Sequence, residues 1–209
     1  MAIYWDDDFE APTNLVNWGT ENQGATIVLT NQVAFTGTQS VRGDYSSLIT
    51  GSGPSIYRGY PATTDVWARF YYRLSTGFQA SSSWTKVLFF TTTASPAQPT
   101  WWLTIGPSKE LNIHGQSLFD SGITEIFFQN IAPTVLFVDN RWYCIEVHLR
   151  DNTAGQANSL LEIYIDGVLK ALHQNRQWAG PGHFYNFTNI YQERGIGSAW
   201  WDRVAFSNT

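Results

Sequence analysis

Polar and apolar positions alternate with a period of two along the last third of the chain. In Arg141-Trp-Tyr-Cys-Ile-Glu-Val-His-Leu-Arg150, the apolar Tyr143, Ile145, Val147 and Leu149 alternate with Cys144, Glu146, His148 and Arg150. A polar loop over residues 151–159 leads into Leu160-Leu-Glu-Ile-Tyr-Ile-Asp166-Gly167, and the chain closes with Trp200-Trp-Asp202-Arg-Val-Ala-Phe-Ser207. Successive side chains of a strand point to opposite faces, so this pattern predicts strands with one buried face. Asp166-Gly167 is a two-residue hairpin signal, because Gly reaches positive φ without a Cβ clash.

The pattern recurs upstream. Short strands are predicted at 25–30, 40–45, 55–60, 66–74, 85–91, 101–105, 110–114 and 125–129, then at 142–150, 160–165, 187–192 and 200–206, with Gly, Pro, Asn and Ser clustered between them. No window carries a helical period of ten residues or more; a short helical turn fits 130–139, with Pro133 limiting its length. About a dozen strands at this spacing imply an all-β sandwich or barrel. The chain of 209 residues has no linker, repeat or low-complexity tract, so we expect one domain over 1–209.

Composition narrows the partners. Aromatic content is 16% with ten Trp, charged content only 14%, and net charge −5. No block of Lys or Arg appears, which argues against nucleic acid. No apolar stretch reaches the roughly 20 residues of a membrane-spanning helix. The single Cys144 excludes an internal disulfide and reads as a buried, inert thiol in an apolar strand. No secretory leader precedes Asp6-Asp7-Asp8, so the compartment stays open; an extracellular one suits a chain whose leader has been removed.

Alternation over 67–73 puts Trp67, Arg69, Tyr71 and Arg73 on one face and Ala68, Phe70 and Tyr72 on the core face. An Arg-Tyr-Arg ladder is unusual for a merely solvated surface, and Lys86 on the next strand is expected to join it. Aromatic rings stack on pyranose rings, and the planar Arg fork pairs with carboxylate. A solvated outer sheet with cross-strand pairs is the competing reading. Glu146 and His148 share one strand face, and a His there is more often a structural hydrogen bonder than a catalyst.

Several segments occur in an order that resembles the concanavalin A-like lectin/glucanase jelly rolls. They are Asp8-Phe9-Glu10, Thr36-Gly-Thr-Gln-Ser-Val-Arg42, Trp67-Ala-Arg-Phe-Tyr-Tyr-Arg-Leu-Ser-Thr-Gly-Phe78, Trp84-Thr-Lys86-Val-Leu-Phe-Phe, the Arg141 and Leu161 strands, and the final Asp202. In style they are most similar to the glucuronan/alginate-type polysaccharide lyases and their lyase-like carbohydrate-binding proteins. The resemblance implies a jelly-roll β-sandwich of two curved antiparallel sheets with a sugar groove on the concave face, whose substrate-binding set would be Arg69, Tyr71, Arg73, Lys86, Glu146 and His148. It also implies adjacent first and last strands, and a structural Ca²⁺ held by Glu10, Asp202 and loop oxygens at Thr36 and Gln39. Asp6, Asp7 and Asp8 offer a rival cation site, though a terminal acidic run is usually solvated.

Leu111-Asn-Ile-His114-Gly is similar to the Gln-Ile-His of alginate-type lyases, with Asn112 at the Gln position. Residues 184–192 are similar to their C-terminal tyrosine strand, placing Tyr191 at the tyrosine but lacking the matching Lys and Gly. A lyase acting by β-elimination needs a neutraliser of the uronate, a base for the C5 proton and an acid for the leaving oxygen. Arg69 or Arg73, His114 and Tyr191 are the candidates. A glycosidase of this fold would need paired carboxylates across the groove; the Glu-x-Asp-x-x-Glu strand is missing, and Glu162 lies four residues from an Asp166 that belongs to a turn. The departures from the lyase motifs put carbohydrate binding first, a polyuronate lyase second, and a non-catalytic structural or adhesion domain of a phage or cell surface third.

Overall fold

The computed structural model describes residues 3–11, 15, 17–21, 27–47, 55–91, 100–116, 125–128, 135–178 and 185–208. Sixteen strands and no helix occur among them: β1 (Ile3–Asp7), β2 (Gly19–Glu21), β3 (Ile27–Thr30), β4 (Ser40–Ser47), β5 (Ser55–Thr63), β6 (Asp65–Leu74), β7 (Gln79–Ala80), β8 (Thr85–Thr91), β9 (Thr100–Ile105), β10 (Leu111–Gln116), β11 (Glu125–Phe128), β12 (Tyr143–Arg150), β13 (Leu160–Ile165), β14 (Val168–Gln174), β15 (Tyr185–Glu193) and β16 (Gly195–Ser207). The first sheet runs β14-β13-β12-β6-β16-β4-β3, with β1 and β7 also paired to β16; the second runs β11-β10-β9-β8-β15-β5-β2. All pairs are antiparallel. This is the all-β sandwich expected from the strand spacing, in the jelly-roll form that the resemblance implies.

Period two decides what each strand buries. On β6, Val66, Ala68, Phe70, Tyr72 and Leu74 are buried, whereas Arg69 is exposed. On β12, Tyr143, Ile145, Val147 and Leu149 are buried against them. The second sheet contributes Leu88 and Phe90 from β8, Trp101, Leu103 and Ile105 from β9, Leu111 and Ile113 from β10, and Ile190 from β15. Stacked sheets lie about 10 Å apart, and these side chains fill the gap between them.

One polar network is buried in that core. The Tyr185 hydroxyl donates to Asp151 Oδ1 (2.7 Å) and accepts from Trp101 Nε1 (2.8 Å), while Trp178 Nε1 also donates to Asp151 Oδ1 (3.2 Å). The bonds offset the desolvation of a carboxylate in the core.

The turns follow their residues. Asp166 (φ 51°) and Gly167 (φ 77°) both take the left-handed region, as a type I′ hairpin between β13 and β14 requires. Asp166 also accepts from the Cys144 amide (2.9 Å) and from Arg141 (2.8 Å), which ties the hairpin to β12. Of the segment read as a short helical turn, residues 130–134 lie outside the described residues and 135–139 are not helical. Leu136 forms a bridge to Glu110, and the Phe137 amide donates to the Lys109 carbonyl. First and last strands are adjacent as expected, with Asp7 opposite Val204.

Candidate functional site

The outward face of the second sheet gathers the basic and aromatic side chains of its central strands. Across the sheet, His114 on β10 is opposite Trp102 on β9, and Trp102 is opposite Phe89 on β8. One row along, Asn112 is opposite Thr104, and Thr104 opposite Lys86. These positions alternate with the buried Leu103, Ile113, Val87 and Leu88, a bulge between Lys86 and Leu88 leaving Lys86 and Phe89 on one face, so they point away from the core. The Lys86 ammonium lies 3.7 Å from the Trp102 ring centroid, a cation–π contact. The Trp84 ring is 4.5 Å from that of His114. The Trp84 backbone (φ 106°) departs from a strand conformation, just before β8 begins.

His114 is almost fully covered, at 2% exposure. Burial, and then the positive charge of Lys86, lower its pKa to about 4. The imidazole is therefore neutral at pH 7 and can both donate and accept a hydrogen bond. The backbone of Tyr191 lies in β15 opposite Ser55, on the same sheet. Its side chain lies outside the described residues.

The outward face of the first sheet holds the other predicted residues, and here most are satisfied internally. Trp67 stacks on His148 (4.2 Å, interplanar angle 11°), and His148 bonds Glu162 through Nδ1 (3.0 Å) and Asp65 through Nε2 (2.9 Å). Burial alone would lower the His148 pKa, but those two carboxylates overcome it and the net shift is upward. Tyr71 lies under Phe35, with ring centroids 3.6 Å apart. Arg73 donates to Asn140 Oδ1 (3.0 Å) and sits over Trp200. Glu146 and Arg69 are cross-strand neighbours. The half-buried Cys144 thiol is pushed up by burial, in keeping with an unreactive sulfur.

Two sequence expectations are corrected by this placement. Lys86 does not extend the Arg69–Tyr71–Arg73 ladder, because β8 belongs to the second sheet and β6 to the first. Arg69 likewise cannot share one sugar ring with His114 and Tyr191, since the core separates the two outward faces. Alternation identifies which side of a strand faces out, but not the sheet in which the strand is placed.

The predicted cation ligands do meet around one loop. Glu10 accepts from the Thr38 hydroxyl (2.7 Å) and from the amides of Thr38 (2.6 Å) and Gln39 (2.8 Å). The hydroxyl bond first, then the two amides, lower its pKa. Asp202, fully buried, accepts from the amides of Phe35 (2.7 Å) and Thr36 (3.2 Å) through Oδ2, and from that of Arg203 (2.7 Å) through Oδ1. Both carboxylates thus hold residues 35–39 from either end. Gly37 (φ +70°) is required between them, as a Cβ there would meet Glu10 Oε1 at 2.3 Å. The buried Gln39 Oε1 has no hydrogen-bond donor among the described residues. An orphan amide oxygen on the loop that the two carboxylates hold suits a hard cation that takes oxygen ligands, although no group of three or more His, Cys, Asp or Glu side chains converges among the described residues.

The fold and these faces define a class. Residues 8–207 match the model of the polysaccharide lyase-like family described as Cip1-like, core domain. The chain belongs to this Cip1-like family. Among solved structures it is similar to an endo-β-1,4-glucuronan lyase from the fungus Trichoderma reesei, with a TM-score of 0.73 and 14% identity over 100% of this chain and 96% of that one. It is similar to an alginate lyase from Aplysia kurodai, with a TM-score of 0.69 and 10% identity over the whole of both chains. It is also similar to the cellulose-induced protein Cip1, with a TM-score of 0.67 and 20% identity over 98% and 97%. No protein of curated function matches the chain by sequence.

Proposed function

We propose that this protein binds an acidic polysaccharide on the outward face of the second sheet, around Lys86, Trp102 and His114. The observation that carries the reading is the Lys86 ammonium held over the Trp102 ring beside a neutral His114. The ammonium supplies charge for a uronate carboxylate. The indoles supply apolar surface for a pyranose ring, and the neutral imidazole supplies a donor and an acceptor for hydroxyls. The uronate-polymer lyases among the structural relatives support an acidic ligand. A structural Ca²⁺ belongs to the same proposal: Glu10 and Asp202, with oxygens of Thr36 and Gln39, would hold it and pin the loop over residues 35–39 to the first sheet.

Elimination is the second reading, favoured by the presence of Tyr191 in the strand next to β8. In that case Lys86, not Arg69, neutralises the uronate, His114 takes the C5 proton and Tyr191 protonates the leaving oxygen. Binding stands first because a base with a pKa of about 4 is weak at neutral pH, and general-base catalysis is most effective when the pKa lies near the working pH. Retention on polyuronate gels tests the proposal. Lys86→Met should weaken retention at least tenfold, and equal retention would remove the site. Absorbance of unsaturated uronate, measured on the same polymers, separates elimination from binding.

A further inference from the structure

We propose that the outward face of the first sheet carries a second glycan site, which takes a neutral pyranose unit against Trp67 with its hydroxyls on Arg69 and Glu146. The site is a hollow of about 200 Å³ lined by Trp67, Arg69, Glu146, Ile3, Ala205 and Ser207 among others. That volume suits one sugar ring rather than a larger ligand, since sites for drug-sized molecules run to several hundred Å³. A second hollow of about 220 Å³ adjoins it, sharing Arg69 and Ala205 and adding Asp6, Asp8, Asn17 and Arg203. Together they make a groove for consecutive units of a chain.

Three features distinguish this hollow from a merely solvated surface. Trp67 is fixed before any ligand arrives, because its ring stacks on an imidazole that is itself bonded at both nitrogens. A rigid aromatic platform avoids part of the ordering cost of binding. Arg69 and Glu146 face each other across β6 and β12, yet form no ion pair or hydrogen bond among the described residues. Every other outward residue of β6 in this region is engaged: Trp67 with His148, Tyr71 with Phe35, and Arg73 with Asn140. A donor and an acceptor left side by side match a vicinal diol, whose hydroxyls both donate and accept.

Charge sets the ligand class. Arg69 and Glu146 cancel, and the adjoining hollow has Asp6, Asp7 and Asp8 against Arg69 and Arg203. A uronate would be repelled by these carboxylates, whereas a neutral sugar takes hydrogen bonds from both signs. On the second sheet, the Lys86 ammonium over the Trp102 ring gives the opposite preference. The two faces would then hold different parts of a mixed polysaccharide, or two polymers.

Affinity electrophoresis tests the inference on the full chain, in gels containing a soluble neutral β-glucan, a xylan, a mannan or a polyuronate. We expect at least one neutral polymer to retard the protein. Arg69→Ala and Glu146→Gln should each weaken that retardation at least tenfold while leaving polyuronate retention unchanged, and Lys86→Met should do the reverse. Both first-sheet substitutions lie outside the core, so a melting curve like the parent's verifies folding. No retardation by any neutral polymer, or neutral retardation that survives Arg69→Ala, overturns the second site. Loss of polyuronate retention in every form of the protein would instead count against the first.

Discussion

Replacing Asp202 by Asn tests the physical account of the loop most severely, since the substitution keeps shape and removes charge. Asp202 is fully buried and accepts three backbone N–H groups. The better Asn rotamer keeps its oxygen on the amides of Phe35 and Thr36 and turns its NH₂ toward the Arg203 amide. One bond is lost and two donors then face each other, at a cost of about 1–3 kcal/mol for the unsatisfied group. The two surviving bonds fall from charge-assisted to neutral, which weakens each by roughly half. Relief from burying a charge offsets part of this, leaving about 2–4 kcal/mol. In a domain of this length, about 2–4 °C of Tm follows each kcal/mol, so Tm should fall by about 4–16 °C in circular dichroism melts with a chelator present. Added calcium should stabilise the parent and not the variant, as a ligand bound to the native state alone stabilises it. A variant melting within about 2 °C of the parent in both buffers would mean that the Asp202 charge does not hold the loop.

The pH dependence of that pair has a definite sign. Burial raises the Asp202 pKa above its usual 3.8, against the pull of the three amides. The native state then holds the proton more tightly than the unfolded one, so without calcium this group's contribution improves as pH falls through the window from the raised value down to 3.8. Calcium bound as proposed would reverse the sign, and the difference between parent and Asp202→Asn across this window distinguishes the two cases. His148 behaves oppositely to a carboxylate: its raised pKa gives stability that is full below 6.5 and fades as pH rises through the raised value, so His148→Gln should flatten the stability profile on the alkaline side of 6.5. Gly37→Ala should lower Tm more than Gly77→Ala, because both take φ +70° but only Gly37 would push a Cβ into Glu10; equal losses would mean Glu10 simply moves aside. Tyr185→Phe should cost about 1–3 kcal/mol in urea unfolding by removing the hydroxyl between Trp101 and Asp151.

Much of the sandwich was legible in the sequence because its strands are half-buried. The runs at 85–91 and 160–165 fall on β8 and β13 to the residue, and Asp166-Gly167 makes the predicted turn. The short β2 and β7 carry too few residues to show a period, and β1 sits earlier than the acidic segment suggests because Phe9 takes φ 61° and ends it. The pairing of β1 with β16, and the convergence of Glu10 and Asp202 on one loop, followed from strand order in the resembling family rather than from local pattern. What the sequence concealed was sheet membership. Arg69 and Lys86 are both outward-facing bases seventeen residues apart, and nothing local indicates that the chain crosses to the other sheet between them. Trp84 and Trp102 escaped the candidate list, although the alternation Trp101-Trp102-Leu103 already puts Trp102 outward once Leu103 is assigned to the core.

On our proposal, acidic glycan is held by the second sheet and not by the arginine face of the first. Isothermal titration of a polyuronate oligosaccharide into the parent, Lys86→Met and Arg69→Ala proteins tests it directly, with absorbance of unsaturated uronate recorded on the same mixtures. We expect binding by the parent, a loss of at least tenfold in Lys86→Met and an unchanged affinity in Arg69→Ala. Affinity that depends on Arg69 and ignores Lys86 would contradict it and move the acidic ligand to the opposite face.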